Sequence, residues 1–186
     1  MLLVRVFNHF KSKRQKKKML SCGKNVSIQQ PFNVVSFKNL IMGDNCYIAP
    51  GVRFINSRAK IILGNNVLIG GDSKFISGNH RIDVPGLYMS EVTDDYKNEE
   101  YDKYDKDIIV EDDVMFGVNC LVLSGVHIGT GSFIGAGSIV NKDIPPYSIA
   151  VGVPAKVIKQ RFTSEQLDEH LKILKNRGLL RDNISK

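Results

Sequence analysis

The chain has 186 residues, of which 42% are hydrophobic and 24% are charged, and this composition suits one soluble domain with a packed core. The formal net charge is +7. Six basic residues between positions 11 and 18 carry most of that charge, so the remainder of the chain is nearly neutral and gives no argument for nucleic-acid binding.

The first twenty residues form an arm with a helical apolar stripe, followed by the basic run Lys11–Lys18. The stripe consists of Leu2, Leu3, Val6, Phe7 and Phe10. The arm either docks this stripe on the first coil as a cap, which we favour, or lies on an anionic membrane surface. It is too short and interrupted for a signal peptide, and no segment reaches the roughly 18 apolar residues of a membrane span. We expect a cytoplasmic protein, which would lie at the inner membrane surface if the arm binds anionic lipid.

The middle of the chain repeats every six residues. The longest run of apolar anchors comprises Val110, Phe116, Val122, Ile128, Ile134 and Val140. Four residues after each anchor comes a small or β-branched residue: Val114, Cys120, Val126, Ser132, Ser138 and Ile144. Shorter runs begin at Cys22, Met42 and Leu63, with slips in phase between them. This period fits neither a helix nor an alternating strand, and it predicts a solenoid whose triangular coils each contain three hexads.

The cysteines fit the same repeat. Cys46 and Cys120 occupy the small positions, which predicts buried core residues. The chain has three cysteines and no C-x-x-C pair, so neither a disulfide framework nor a zinc site is expected. A reducing compartment fits this usage best.

The repeat vanishes after Asp83 and resumes near Ile108, which leaves a long loop at residues 84–107. The loop is rich in charge and contains Tyr88, Tyr96, Tyr101 and Tyr104. We interpret it as a cover for a site on this subunit or its neighbour, and the alternative is a solvated insertion.

The C-terminal segment changes period. Thr163 and Gln166 have the spacing of a capping box, and Leu167, Leu171 and Leu174 follow at helical spacing up to Gly178. The pattern predicts a short amphipathic helix that packs on the solenoid or on a partner.

This repeat resembles that of the hexapeptide-repeat acyltransferases. The segment IGTGSFIGAGSIVNKDIPPYSIAVGVPAKVIKQRF, residues 128–162, resembles their last coils and exit segment. The stretch NHRID, residues 79–83, resembles the branch with xenobiotic and polysaccharide O-acetyltransferases. The resemblance implies an all-β solenoid, a left-handed parallel β-helix of hexapeptide repeats, at residues 21–160. This domain follows the N-terminal arm at 1–20 and precedes the C-terminal helix at 161–186. The resemblance also implies acetyl-CoA as cosubstrate and a homotrimer with active sites at the subunit interfaces.

Of the histidines, His80 is the candidate catalytic residue. Transfer of an acetyl group from a thioester to an alcohol needs a base near neutral pKa, which an imidazole provides. The resembled family places its catalytic histidine in this motif, whereas His127 falls at an outward position of the repeat. Asp83 is a candidate for orienting the imidazole or binding the acceptor, and a turn residue at the loop entrance is an equally supported alternative.

The resemblance also implies positions that contact coenzyme A. These are Gly117, Val118, Ala136, Asn141, Lys142, Pro154, Lys156 and Lys159. The lysines would meet the phosphates, and Pro154 would lie near the adenine; the alternative for the lysines is a solvated basic rim. Met115 stands where the family often has tryptophan, and the asparagine that sugar acetyltransferases use has no clear counterpart near residues 50–52.

Three functions compete. The first is acetyl-CoA-dependent O-acetylation of a sugar hydroxyl, in a surface polysaccharide or its precursor. The second is O-acetylation of a xenobiotic of the streptogramin or chloramphenicol type. The third is a scaffold without catalysis. A metal-dependent carbonic anhydrase on this fold would need three histidines at the interface, and the scattered histidines argue against it, so no metal is expected.

Overall fold

The computed structural model describes residues 2–96 and 101–180 of the chain. Helix α1 (Leu2–Lys16) precedes a column of very short strands, and helix α3 (Ser164–Asn176) follows it. A short helix α2 (Tyr101–Tyr104) lies in the long loop. The structure does not describe the side chains of Leu2 and Leu3 in the predicted stripe or of Tyr101 in the long loop.

The strands are short because each occupies one side of a triangular coil. Their bounds are β1 Ser21–Cys22, β2 Ser27–Ile28, β3 Asn33–Val34, β4 Leu40–Met42, β5 Tyr47–Ile48, β6 Arg53–Ile55, β7 Ile61–Leu63, β8 Leu68–Ile69, β9 Lys74–Ile76, β10 Ile108–Val110, β11 Met115–Phe116, β12 Leu121–Val122, β13 His127–Ile128, β14 Phe133–Ile134, β15 Ile139–Val140, β16 Ser148–Gly152 and β17 Ala155–Gln160.

These strands form three sheets along the three sides of the prism. Sheet A has the order β1-β4-β7-β10-β13, sheet B the order β17-β16-β14-β11-β8-β5-β2, and sheet C the order β15-β12-β9-β6-β3. All pairs are parallel except β16 and β17, which form an antiparallel hairpin at the C-terminal end. We call the turns between sheets B and C the B–C corner, and the turns between sheets C and A the C–A corner.

The anchors of the six-residue repeat fill the core as predicted. Every anchor from Val110 to Val140 is buried, and so are Cys46 and Cys120 in the small positions. Burial raises the pKa of both thiols, which suits core residues better than nucleophiles. Aromatic rings stack along the axis in edge contacts, with centroids of Phe54 and Phe75 and of Phe75 and Phe116 both 5.1 Å apart.

The slips in phase are insertions at a single corner. Equivalent residues are 20 positions apart in the first and second coils, and 21 positions apart in the second and third coils. Across the long loop, between the third and fourth coils, the separation is 47 positions, and between the fourth and fifth coils it is 18 positions. The extra residues follow β3, β6 and β9, which all end at the C–A corner. The prism itself is therefore uninterrupted, and the long loop leaves it from the edge of the third coil.

Helix α1 covers the open end of the first coil. However, the face of the helix that contacts the coil is opposite to the apolar stripe that the sequence favoured for docking. Ser12 Oγ donates to the Ile28 carbonyl oxygen at 2.9 Å, and Gln15 Nε2 donates to that of Phe32 at 3.2 Å. Phe7 and Phe10, from the apolar stripe, are exposed. The reason is that the first coil has no preceding coil to donate to its carbonyl groups, and apolar side chains cannot satisfy them.

At the other end, the capping box of α3 is present as predicted. Thr163 Oγ1 accepts from the Gln166 backbone N–H at 3.3 Å, and Gln166 Oε1 accepts from that of Thr163 at 3.0 Å. His170 of α3 contacts the Phe162 ring with centroids 4.9 Å apart and the Tyr147 ring, directly before β16, with centroids 6.0 Å apart. The helix therefore packs against the C-terminal end of the prism.

The aromatic stack gives a stability prediction. Phe75→Ala removes a fully buried ring between Phe54 and Phe116 and leaves a cavity between them. We expect a loss of about 3–5 kcal/mol in the free energy of unfolding, measured by denaturant titration at fixed protein concentration. Tyr88→Ala, at an exposed loop position, should change it by less than about 0.5 kcal/mol. A Phe75→Ala loss no larger than that of the control would contradict the stack as a source of stability.

Candidate active site

The long loop is closed at its base by backbone hydrogen bonds, and His80 stands directly beyond them. The Lys106 N–H donates to the Ser77 carbonyl at 3.0 Å, and the Asn79 N–H donates to the Tyr104 carbonyl at 3.0 Å. His80 is exposed, and its imidazole makes no hydrogen bond with the described residues. The base of the loop thus fixes the backbone next to His80, while the residue itself is exposed to solvent.

Asp83 joins the two arms of the loop. Its carboxylate accepts from Tyr104 Oη at 2.6 Å, from Lys103 Nζ at 3.0 Å and from Arg81 Nε at 3.0 Å. The Tyr104 hydrogen bond, followed by those from Lys103 and Arg81, holds the pKa of Asp83 well below its ordinary range. Its hydrogen bonds go to the loop and not to His80, so in one chain it positions the loop entrance.

The rest of the described loop lies against the C–A corner with exposed apolar side chains. Arg81 Nη1 donates to the Tyr96 carbonyl at 2.6 Å, and Arg58 Nη1, from the corner of the second coil, reaches the Asp94 carbonyl at 3.4 Å. Ile82, Tyr88 and Met89 are exposed, whereas Tyr104 is buried. Residues 97–100 of the predicted cover lie outside the described residues.

Some of the expected coenzyme positions meet at the B–C corner. Gly117 and Val118 lie there in the fourth coil and Ala136 in the fifth, and the Gly137 N–H donates to the Val118 carbonyl at 2.9 Å. A Cβ on Gly117 would lie 2.5 Å from the backbone nitrogen of Ala136, so only glycine permits this stacking. Val118 and Ala136 are exposed and small, which leaves a smooth edge along the prism.

The hairpin β16–β17 continues this edge. Its turn contains Pro154, and Lys156 pairs with Val151 beside the turn. Lys159 pairs with Ile149 further back on sheet B. All three expected contact residues of the hairpin are exposed. Pro154 and Lys156 therefore join the B–C corner, whereas Lys159 lies on the adjoining face.

Asn141 and Lys142 lie elsewhere, at the C–A corner of the fifth coil, and both are exposed. They share this corner with His80, whose loop leaves it two coils earlier. Sheet C separates the C–A corner from the B–C corner. The strands of sheet C begin at the B–C corner and end at the C–A corner, so the two groups of residues lie at opposite ends of these strands. Within one chain the structure does not bring His80 to the positions Gly117, Val118 and Ala136.

His127 of β13 and Glu111, directly after β10, form a polar pair on the outside of the prism at the end of sheet A. His127 Nε2 lies 2.8 Å from Glu111 Oε1, and Thr130 donates to Glu111 Oε2 from its backbone at 2.8 Å and its hydroxyl at 2.7 Å. Burial raises the pKa of Glu111, but the hydrogen bonds from Thr130 and His127 outweigh it and the net pKa is lowered. The sequence placed His127 on the surface but gave no sign of this pair, which joins the fourth and fifth coils.

Within residues 2–96 and 101–180, no three His, Cys, Asp or Glu side chains gather in a way that would hold a metal ion. In the same ranges, the helices are too short or too polar to cross a membrane.

The repeat matches a family model described as "Hexapeptide repeat of succinyl-transferase" over residues 107–142. A chloramphenicol acetyltransferase of Klebsiella aerogenes is 38% identical over 117 residues, which are 58% of this chain and 55% of that protein. The chain therefore spans just over half the length of this curated relative.

Solved structures share the fold over more of their length. A hexapeptide-repeat-containing acetyltransferase from Vibrio cholerae superposes with a TM-score of 0.70 at 28% identity, covering 84% of this chain and 82% of that one. The same protein has been solved with acetyl coenzyme A. A galactoside acetyltransferase in complex with coenzyme A gives a TM-score of 0.66 at 27% identity, covering 80% and 68%. These likenesses confirm the predicted fold class, a left-handed parallel β-helix.

The contacts of Asp83 give a prediction about the loop. Because its pKa is lowered in the folded state, its stabilising contribution is present above the ordinary carboxyl pKa of about 3.9 and declines as the pH falls below it. At neutral pH, Asp83→Asn removes the charge and should make the loop several-fold more sensitive to limited proteolysis. Asp168→Asn, on the exposed face of α3, is the matched control and should leave the cleavage rate unchanged. Equal cleavage of both variants would refute the role of Asp83.

Proposed function

Because the chain is a hexapeptide-repeat β-helix protein similar to acetyltransferases in sequence and structure, we propose that it transfers an acetyl group from acetyl-CoA to a sugar hydroxyl. The acceptor we propose is a surface polysaccharide or its precursor. The observation that carries this proposal is the position of His80. It is an exposed imidazole with no hydrogen bond to the described residues, next to backbone that the base of the loop holds in place.

In this proposal His80 acts as general base. Its imidazole takes the proton from the acceptor hydroxyl while the hydroxyl oxygen attacks the thioester carbonyl. A carbon–oxygen bond forms, the carbon–sulfur bond breaks, and the leaving thiolate receives the proton from the imidazolium. No covalent enzyme intermediate is required because the thioester is already activated. Backbone N–H groups at a corner of the prism would donate to the oxygen on which negative charge develops.

For coenzyme A, the B–C corner offers a route along the coils. Val118 and Ala136 present small exposed side chains past which a pantetheine arm would run. Lys156 is exposed beside the hairpin turn, where an ammonium group would meet a phosphate, and Pro154 would lie against the adenine. Asn141, Lys142 and Lys159 lie away from this route in the same chain. We therefore propose that they contact coenzyme A bound to a neighbouring subunit.

The separation of His80 from the B–C corner supports a homotrimer. A threefold axis parallel to the prisms would place the C–A corner of one chain beside the B–C corner of the next and create three equal clefts. Sheet B also carries an outward apolar column that suits a subunit contact: Tyr47, Leu68, Met115, Phe133 and Ile149. Met115, which stands where tryptophan is common in the family, lies in the middle of this column.

The chloramphenicol acetyltransferase of Klebsiella aerogenes supports a second candidate, O-acetylation of an antibiotic hydroxyl. Release of the coenzyme A thiol, measured with chloramphenicol, streptogramins and a panel of mono- and disaccharides, separates the two. Mass spectrometry of envelope glycans from cells with and without the gene tests the sugar proposal directly, because a lost acetyl group would identify the acceptor. Turnover of the antibiotics alone would favour the second candidate.

Substitution of His80 tests the mechanism. His80→Ala should lower the turnover number by roughly 10²–10⁴-fold, because the base is lost, while acetyl-CoA binding measured by calorimetry stays unchanged. His9→Ala, an exposed histidine of α1, is the control and should retain full activity. If His80→Ala turns over at the normal rate, His80 is not the base.

A further inference from the structure

Helix α1 has an outer face on which exposed aromatic and basic side chains lie together. We define this outer face by Val6, Phe7, Phe10, Lys11 and Arg14. Phe7 is 68% exposed and Phe10 is 64% exposed, which are high values for phenylalanine in a folded domain. The face is therefore available to a partner outside this chain.

The opposite side of α1 fixes this orientation. Ser12 is buried and donates to the Ile28 carbonyl, and Gln15 donates to the Phe32 carbonyl. Gln30 Nε2 donates in turn to Ser12 Oγ at 3.0 Å and to Gln15 Oε1 at 2.7 Å. Rotating the outer face inward would break this network and leave the carbonyl groups of the first coil without donors. The exposure of Phe7 and Phe10 is thus a consequence of how the helix caps the solenoid.

Charge limits what the outer face can bind. Residues 11–18 contain six lysines and arginines, and no Asp or Glu occurs before Asp44. A second copy of this helix would bring two cationic arms together, which electrostatic repulsion opposes. An anionic bilayer matches both properties, since aromatic rings enter the boundary of the acyl chains and lysines meet the headgroups.

We propose that α1 binds flat on an anionic membrane surface through this outer face, with the prism on the aqueous side. Phe7 and Phe10 insert below the headgroups, and Lys11 and Arg14 contact lipid phosphates. The binding would recruit the protein to the membrane surface. This proposal does not depend on the acetyltransferase function, because lipid binding is measured without turnover.

Vesicle sedimentation tests the proposal. The protein should sediment with vesicles of phosphatidylcholine and phosphatidylglycerol but not with phosphatidylcholine alone, and added salt should weaken binding. Phe7→Ser with Phe10→Ser should weaken partitioning at least about tenfold, because the apolar area entering the bilayer is lost. Lys11→Gln with Arg14→Gln should weaken it by roughly 25-fold, at about fivefold per charge.

The exposed face of α3 provides matched controls at the other end of the prism. Ile173→Ser, and separately Lys172→Gln with Lys175→Gln, remove the same kinds of group and should leave vesicle binding unchanged. Unaltered thermal unfolding of the α1 variants shows that the cap remains folded. The proposal is overturned if the protein ignores anionic vesicles, or if the α1 variants bind as well as the controls. Self-association that only the α1 variants abolish, without vesicle binding, would assign the face to a contact between copies.

Discussion

The structure depends on a narrow core that accepts one apolar anchor from each hexad. Phe54, Phe75 and Phe116 fill successive levels of this core in edge contact, and all three side chains are fully buried. An extra residue within a strand would move every following anchor to the outside, because side chains alternate along a strand. Additional residues can therefore leave the prism only at its corners, and all the longer insertions leave at the C–A corner.

This constraint divides the proposed chemistry between two edges of the prism. The C–A corner carries the long loop, whose base holds His80 and whose entrance is tied by Asp83. The B–C corner has no comparable insertion, and Gly117 packs so tightly against Ala136 that the edge stays smooth. In the proposed function, the long loop at the C–A corner suits recognition of the acceptor, and the smooth B–C corner suits an extended coenzyme. A single prism keeps these edges apart, so the proposed reaction requires neighbouring chains.

The sequence predicted the features that follow from periodicity. The anchors from Val110 to Val140 recur at six-residue spacing because the same core repeats at each coil, and their burial follows directly. It could not show that Tyr104 would bind Asp83, since that contact links two distant loop positions and no period relates them. It also favoured the wrong face of α1. The apolar stripe suggested docking, whereas the carbonyl groups of the first coil needed donors such as Ser12, a requirement that appears only in three dimensions.

Subunit complementation tests the intersubunit site most directly. His80→Ala removes the proposed base, and Ala136→Trp would block the coenzyme edge at an exposed position. Each variant alone should be inactive, but a site with intact His80 from one chain and an intact edge from the next can form when the two are co-expressed. Random assembly of trimers predicts about one quarter of the native activity. Co-expressed variants that are no more active than either variant alone would contradict a site shared between chains.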